Sequence, residues 1–183
     1  MWNTLNRPRG SWHSGIVMQP TKQGNQPPEK EKMAIQMQFH QQAPDLKKKV
    51  IREKLERVLG DLGCRDKELS ILFTDDGCMA DLNSRYLGRE GPTNVLAFPM
   101  MNADPHTDQG PDIDTGLLGD VAISLDTAQR EAQETGETLE ETVERLLIHG
   151  ILHLLGHDHV GDRSARALME REEERLIALL KEG

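Results

Sequence analysis

Residues 138 to 159, TLEETVERLLIHGILHLLGHDH, decide how the rest of the chain is read. Leu139, Val143, Leu146, Leu147, Ile151, Leu152 and Leu155 recur at intervals of three and four, which draws a broad apolar face along an α-helix from Thr138 to Leu155. Gly156 stops that helix, because glycine tolerates the left-handed conformation that ends one. Four of the seven histidines of the chain fall in the last eleven residues of the stretch. His149 and His153 are four apart on the helix, so both imidazoles leave the same face one turn apart and can chelate one ion. The reversal at Gly156 can return His159 as a third nitrogen ligand. Three protein ligands leave a coordination position for water, which is the arrangement of a catalytic rather than a structural metal site. The expected metal is one Zn²⁺, with Ni²⁺ or another divalent ion as the alternative that imidazole ligands equally suit. The catalytic group is then a water held by the metal on His149, His153 and His159. His157 is read as lying off the ion. Asp158 either orients a ligand imidazole or caps the turn.

Outward from this helix the chain resolves into short elements. Asp162 opens a last helix carrying Leu168, Met169, Leu176, Ile177 and Leu180. Upstream, residues 126 to 134 are helical up to Gly136, and Asp120 to Leu125 is a strand. Residues 100 to 115 mix acid, Pro and Gly without periodicity and are expected to be an exposed loop. Asn94 to Phe98 is a buried strand ending at Pro99, with Thr93 and Asn94 either lining a cleft or turning the chain into that strand. Asp75 and Asp76 cap a helix that bears Met79, Leu82 and Tyr86 and ends at Gly88. Glu68 to Thr74 is a further strand, and Pro44 to Gly63 an amphipathic helix. Strands and helices that do not strictly alternate imply an α+β domain, with a small mixed sheet packed by helices and a zincin-like metal helix.

At 183 residues there is room for one domain and some surplus. Mean hydropathy is -0.60 and 36% of residues are hydrophobic, so part of the chain lies outside the core. Residues 1 to 32 are rich in Gly, Pro, Gln and Lys, lack apolar periodicity, and are expected to be a disordered leader ahead of a catalytic domain over 33 to 183. No run in that leader supplies the ~7–15 consecutive apolar residues of a secretory signal, and no stretch reaches the ~20 needed to span a bilayer. Cys64 and Cys78 lack the spacing of a disulfide scaffold or a cysteine metal site, fit a reducing cytoplasm, and are read as small buried residues.

A net charge of -9 argues on its face against a nucleic-acid partner. The distribution weakens the objection: residues 45 to 91 hold ten basic and ten acidic groups, whereas residues 92 to 183 hold seven and nineteen. Lys47, Lys48, Lys49, Arg52, Lys54 and Arg57 form either a basic patch or an ordinary solvated helix face.

The spacing of His149, His153, Gly156 and His159 equals that of the metzincin pattern H-E-x-x-H-x-x-G-x-x-H, with Gly150 where the general-base Glu belongs. Losing that base removes a contribution of about 10²–10⁴-fold to peptide hydrolysis, so a phosphodiester is the better substrate. A metallopeptidase reading would need another carboxylate at the metal, such as Asp120.

HGILHLLGHDH resembles the H-G-x-L-H-L-x-G-x-D-H signature of the YbeY family of bacterial rRNA maturation endoribonucleases. LNSRYLGREGPTNVLAFP, residues 82 to 99, resembles that family's LN-x-x-YRGKD-x-PTNVLSFP segment, and LLGDVAIS, residues 117 to 124, its LLGD strand. The resemblance implies one metal on His149, His153 and His159. It also implies single-strand-specific RNA cleavage in small-subunit (16S) rRNA maturation and ribosome quality control, with the ribosome as partner. It further implies that Met33 is the native start, an expectation that a peptide from within residues 1 to 30 would overturn. One departure is marked: the family's Arg after the Tyr falls on Leu87 here. Arg85 or Arg89 must then supply the phosphate-binding cation, or cleavage is weakened and the chain acts as a ribosome-associated assembly factor with vestigial nuclease activity.

Overall fold

A computed structural model of the chain describes residues 34–43, 45–100, 116–157 and 163–182. The expected leader, the loop after Met100, and His159 with its neighbours Asp158 and Asp162 lie outside the described residues. Nine elements follow in order: β1 (Ala34–Phe39), α1 (Lys48–Asp61), β2 (Glu68–Thr74), α2 (Asp76–Leu87), β3 (Val95–Pro99), β4 (Leu117–Ser124), α3 (Leu125–Thr135), α4 (Leu139–Leu154) and α5 (Arg163–Lys181). The α+β class and the mixed sheet are as expected. β1 has no counterpart among the expected elements, although Ile35, Met37 and Phe39 alternate with Gln36 and Gln38 in the period-2 pattern of a half-buried strand.

The sheet runs β1-β2-β4-β3, parallel between β1, β2 and β4 and antiparallel between β4 and β3. Alternation along each strand gives it two unlike faces. Ile35, Leu69, Ile71, Phe73, Val121 and Ile123 enter the main core with α1, α4 and α5. On the opposite face, Met79 of α2 meets Leu96 and Ala122, with Leu72, Leu82 and Phe98 packed around them. Beside α2 that face stays open as a groove of about 550 Å³, lined by Gln36, Gln38, Ser70, Asp120, Tyr86 and Met100 among others.

Local chemistry sets the element ends. Asp75 accepts from the Cys78 backbone N–H and caps α2, as expected, and Gly88 closes that helix in the left-handed region at φ 63. β4 begins three residues before its expected start. A register shift between Glu68 and Leu69 of β2 lets Gly119, at φ 144, pair where a residue with a β-carbon would meet the Phe98 carbonyl.

The basic segment of α1 forms no continuous patch. Arg52 donates to the Ile35 carbonyl at 2.6 Å and Arg57 to the Leu179 carbonyl at 2.6 Å, while Lys54 pairs with Glu140 and Glu144 of α4. Lys48 lies 4.6 Å above the Phe39 ring. Half of the cations therefore dock α1 onto β1, α4 and α5. Both cysteines are free thiols: Cys64 is buried, which pushes its thiol pKa up, but Cys78 is only half-buried. Among the described residues no helix is long and apolar enough to cross a membrane.

Candidate metal centre

α4 begins in a reciprocal cap: the Thr138 hydroxyl accepts from the Glu141 backbone N–H at 3.2 Å, and the Glu141 carboxylate accepts from the Thr138 N–H at 2.9 Å. The helix buries Val143, Leu146, Leu147, Ile151 and Leu152 against the sheet. Gly150 belongs to this buried side, because a β-carbon there would lie 2.9 Å from Val121 Cγ1 and 3.4 Å from Val95 Cγ2. The base position of the metzincin pattern is thus occupied by packing. With that side committed, His149 and His153 leave the helix half-exposed.

The two rings stand 4.6 Å apart at 75°, and their Nε2 atoms approach to 3.0 Å. Nitrogens each ~2.0–2.1 Å from one shared ion at a tetrahedral angle stand about 3.3 Å apart, so the pair suits a common ion after a shift of a few tenths of an ångström. The other nitrogen of His149, Nδ1, lies 2.5 Å from the Glu173 carboxylate of α5. An ionised carboxylate only accepts, so Nδ1 carries the proton and Nε2 keeps its lone pair for a ligand. The donor set therefore fits a divalent metal. Among the described residues no group of three or more His, Cys, Asp or Glu converges as a complete metal cage. The expected third ligand, His159, lies outside them.

The helix exit is described as far as His157. Gly156, at φ 84, donates to the His153 carbonyl at 3.0 Å and His157 to the Leu152 carbonyl at 3.0 Å, the paired bonds of a Schellman turn. This turn ends α4 and redirects the chain immediately after the second histidine.

Arg85 lies on α2, across the sheet from α4, and the packing does not bring it to the histidine pair. Arg89 is exposed in the connection that leads from α2 round to β3, whose Val95 touches α4 beside His149. Leu87, at the end of α2, is 50% exposed. Asn83, buried in α2, donates to the Gly91 carbonyl at 2.8 Å and holds this connection in place.

Asn94 is a structural anchor: its carbonyl oxygen accepts from the Val95 N–H at 2.8 Å, and its amide donates to Glu131 of α3 at 3.1 Å. Glu131 in turn receives Arg145 of α4, which also binds Glu137. Asp120 lines the open groove on the face away from α4 and does not supply the missing carboxylate. Glu173 escapes a reading of the motif because it comes from another helix, 24 residues downstream. A carboxylate on the polar side of a helix next to a histidine motif is the only trace it leaves in the sequence.

A mixed-sheet domain thus presents a pair of imidazole nitrogens from a sheet-packed helix, a donor pair that fits a divalent metal. The family model of Endoribonuclease YbeY matches residues 32–181. Curated proteins named Endoribonuclease YbeY from Syntrophus aciditrophicus and Geobacter sulfurreducens are similar over most of their length. The first is 36% identical over 153 residues, covering 83% of this chain and 92% of the relative. The second is 44% identical over 135 residues, covering 73% and 86%. The chain belongs to the YbeY endoribonuclease family. A solution structure of a Thermotoga maritima protein shares the fold, with a TM-score of 0.55 at 23% identity over 80% of this chain and 88% of that one.

Proposed function

We propose that this chain is a metal-dependent endoribonuclease that cuts single-stranded RNA, acting in the cytoplasm on 16S rRNA during small-subunit maturation and ribosome quality control. Family membership supports the nuclease reading, and the 3.0 Å approach of the His149 and His153 Nε2 atoms, with Glu173 on Nδ1, carries the metal reading. His149, His153 and His159 would hold one Zn²⁺, with Ni²⁺ as the alternative. The bound ion would supply Lewis acidity toward a phosphate oxygen and lower the pKa of a water to near neutrality.

The chain's own residues do the rest. The buried face of α4 fixes the backbone that carries both imidazoles, and Glu173 sets which nitrogen of His149 points outward. Arg89, exposed in the connection ahead of β3, would offer a guanidinium to an RNA phosphate, whereas Arg85 lies on α2 on the other face of the sheet. Peptide hydrolysis lacks support, since Gly150 is packed against Val121 and Asp120 faces away from α4.

The test is metal content per chain for the wild type, His149→Ala and His159→Ala, followed by cleavage of single-stranded RNA by the wild type and His153→Ala. About one ion per wild-type chain, lost in both variants, with cleavage that disappears in His153→Ala, is the expected result. A protein purified without chelator that holds no metal would favour the assembly-factor reading, which the exposed Leu87 at the family's Arg position makes concrete.

A further inference from the structure

We infer that Glu173 is a positioning residue of the metal site, which makes α5 part of the centre. The inference rests on the metal reading above and adds a residue outside the histidine motif. Glu173 Oε1 lies 2.5 Å from His149 Nδ1, and both side chains are partly buried. Nδ1 and Nε2 lie on different edges of the ring, so a carboxylate bound to Nδ1 leaves Nε2 facing His153 and acts through the imidazole rather than on substrate. It holds the ring's orientation and selects the tautomer with the proton on Nδ1, which leaves Nε2 to face a cation.

The helix that carries Glu173 is itself held in register. Arg175 binds Asp61 at the end of α1 at 2.5 Å and Glu172 at 2.7 Å, and those hydrogen bonds hold both carboxyls below their usual range. Arg57 donates to the Leu179 carbonyl, and Met169 and Leu176 are buried under the helix. Glu173 therefore reaches His149 from a backbone clamped on either side of it, as positioning requires.

The experiment is Zn²⁺ affinity of the full-length chain, stripped with chelator and titrated against a chromophoric competitor. Wild type, Glu173→Ala, Glu173→Gln and Arg166→Ala are compared, with circular dichroism confirming that each is folded. The imidazole ¹⁵N spectrum of the stripped protein reports the His149 tautomer. Glu173→Ala is expected to weaken Zn²⁺ binding by about 10–100-fold and to abolish the fixed Nδ1–H tautomer. Glu173→Gln, which still presents an oxygen acceptor, is expected to keep the tautomer and fall between the two. Arg166→Ala, which removes an exposed ion pair with Glu170 on α5, is expected to bind Zn²⁺ within about twofold of wild type. A folded Glu173→Ala protein with wild-type affinity and tautomer would overturn the role of Glu173 alone. A wild type that binds no Zn²⁺ or Ni²⁺ would overturn this inference together with the metal reading beneath it.

Discussion

Gly150 of α4 and Val121 of β4 meet so closely that a β-carbon on the glycine would fall 2.9 Å from Val121 Cγ1. The residue after the first histidine is thereby turned into the core. A glutamate there would bury its carboxylate between Val121 and Val95 rather than present it to a water. Gly150→Glu is expected to lose more than about 3 kcal/mol of stability in urea unfolding and to gain no peptidase activity. Gly150→Ala is the milder case: overpacking costs about 1–3 kcal/mol and helix propensity returns about 1 kcal/mol, leaving a modest net loss.

Gly119 is the stricter glycine. Its φ of 144 disfavours any side chain, and a β-carbon would lie 2.5 Å from the Phe98 carbonyl oxygen, part of a backbone that cannot rotate away. Gly119→Ala is expected to destabilise the β3–β4 pairing by about 2–4 kcal/mol, read as a lowered urea midpoint.

Asp76 ties α2 to α3. Its carboxylate accepts from Ser124 at 2.5 Å, from Thr127 at 2.7 Å and from Arg130 at 2.7 Å. Burial opposes its ionisation, yet those three donors hold the carboxyl below the usual carboxylate range. A carboxyl with a depressed folded-state pKa contributes stability that is fully present above its unfolded pKa of about 3.9 and is lost as pH falls through the folded value. Asp76→Ala is expected to cost about 2–3 kcal/mol at pH 7, and its deficit relative to wild type should shrink as unfolding is measured below about pH 4.

Asn94, Glu131 and Arg145 link β3, α3 and α4 in one polar chain, with Arg145 one helical turn before His149. Glu131→Gln and Arg145→Met are expected to show a coupling of about 1 kcal/mol in a double-mutant cycle of unfolding. Additive effects would mean that the ion pair contributes nothing beyond each side chain alone.

The exposed positions around the α2–β3 connection bear on RNA. Arg89→Ala is expected to slow single-stranded RNA cleavage by about tenfold, the value of one charge-assisted phosphate contact, and Arg85→Ala, across the sheet, by less than about twofold. Leu87 is exposed, so Leu87→Arg is compatible with the fold, and it is expected to raise cleavage several-fold by placing a guanidinium at the family's position. Cleavage assays under one salt condition compare all three.

The sequence alone determined those parts of the molecule that local chemistry controls. α4 was legible because its apolar stripe and the terminal Gly156 act within a few residues of one another. The His149 and His153 pair was legible for the same reason, since a spacing of four on a helix makes two side chains neighbours whatever the rest of the protein does. Capping at Asp75 and the stop at Gly88 belong to the same kind.

What involves partners distant in the chain was decided by the tertiary structure. β1 becomes a strand by pairing with β2 more than thirty residues later, and six residues of alternation are too weak a signal by themselves. The basic run on α1 was ambiguous until the fold brought Ile35, Glu140, Glu144 and Leu179 to it. That Gly150 serves packing, that Asp120 faces the groove, and that Glu173 reaches His149 all depend on which faces of the sheet and helices meet. Such choices are made by the burial of apolar surface over the whole domain, a collective quantity that no local window of residues contains.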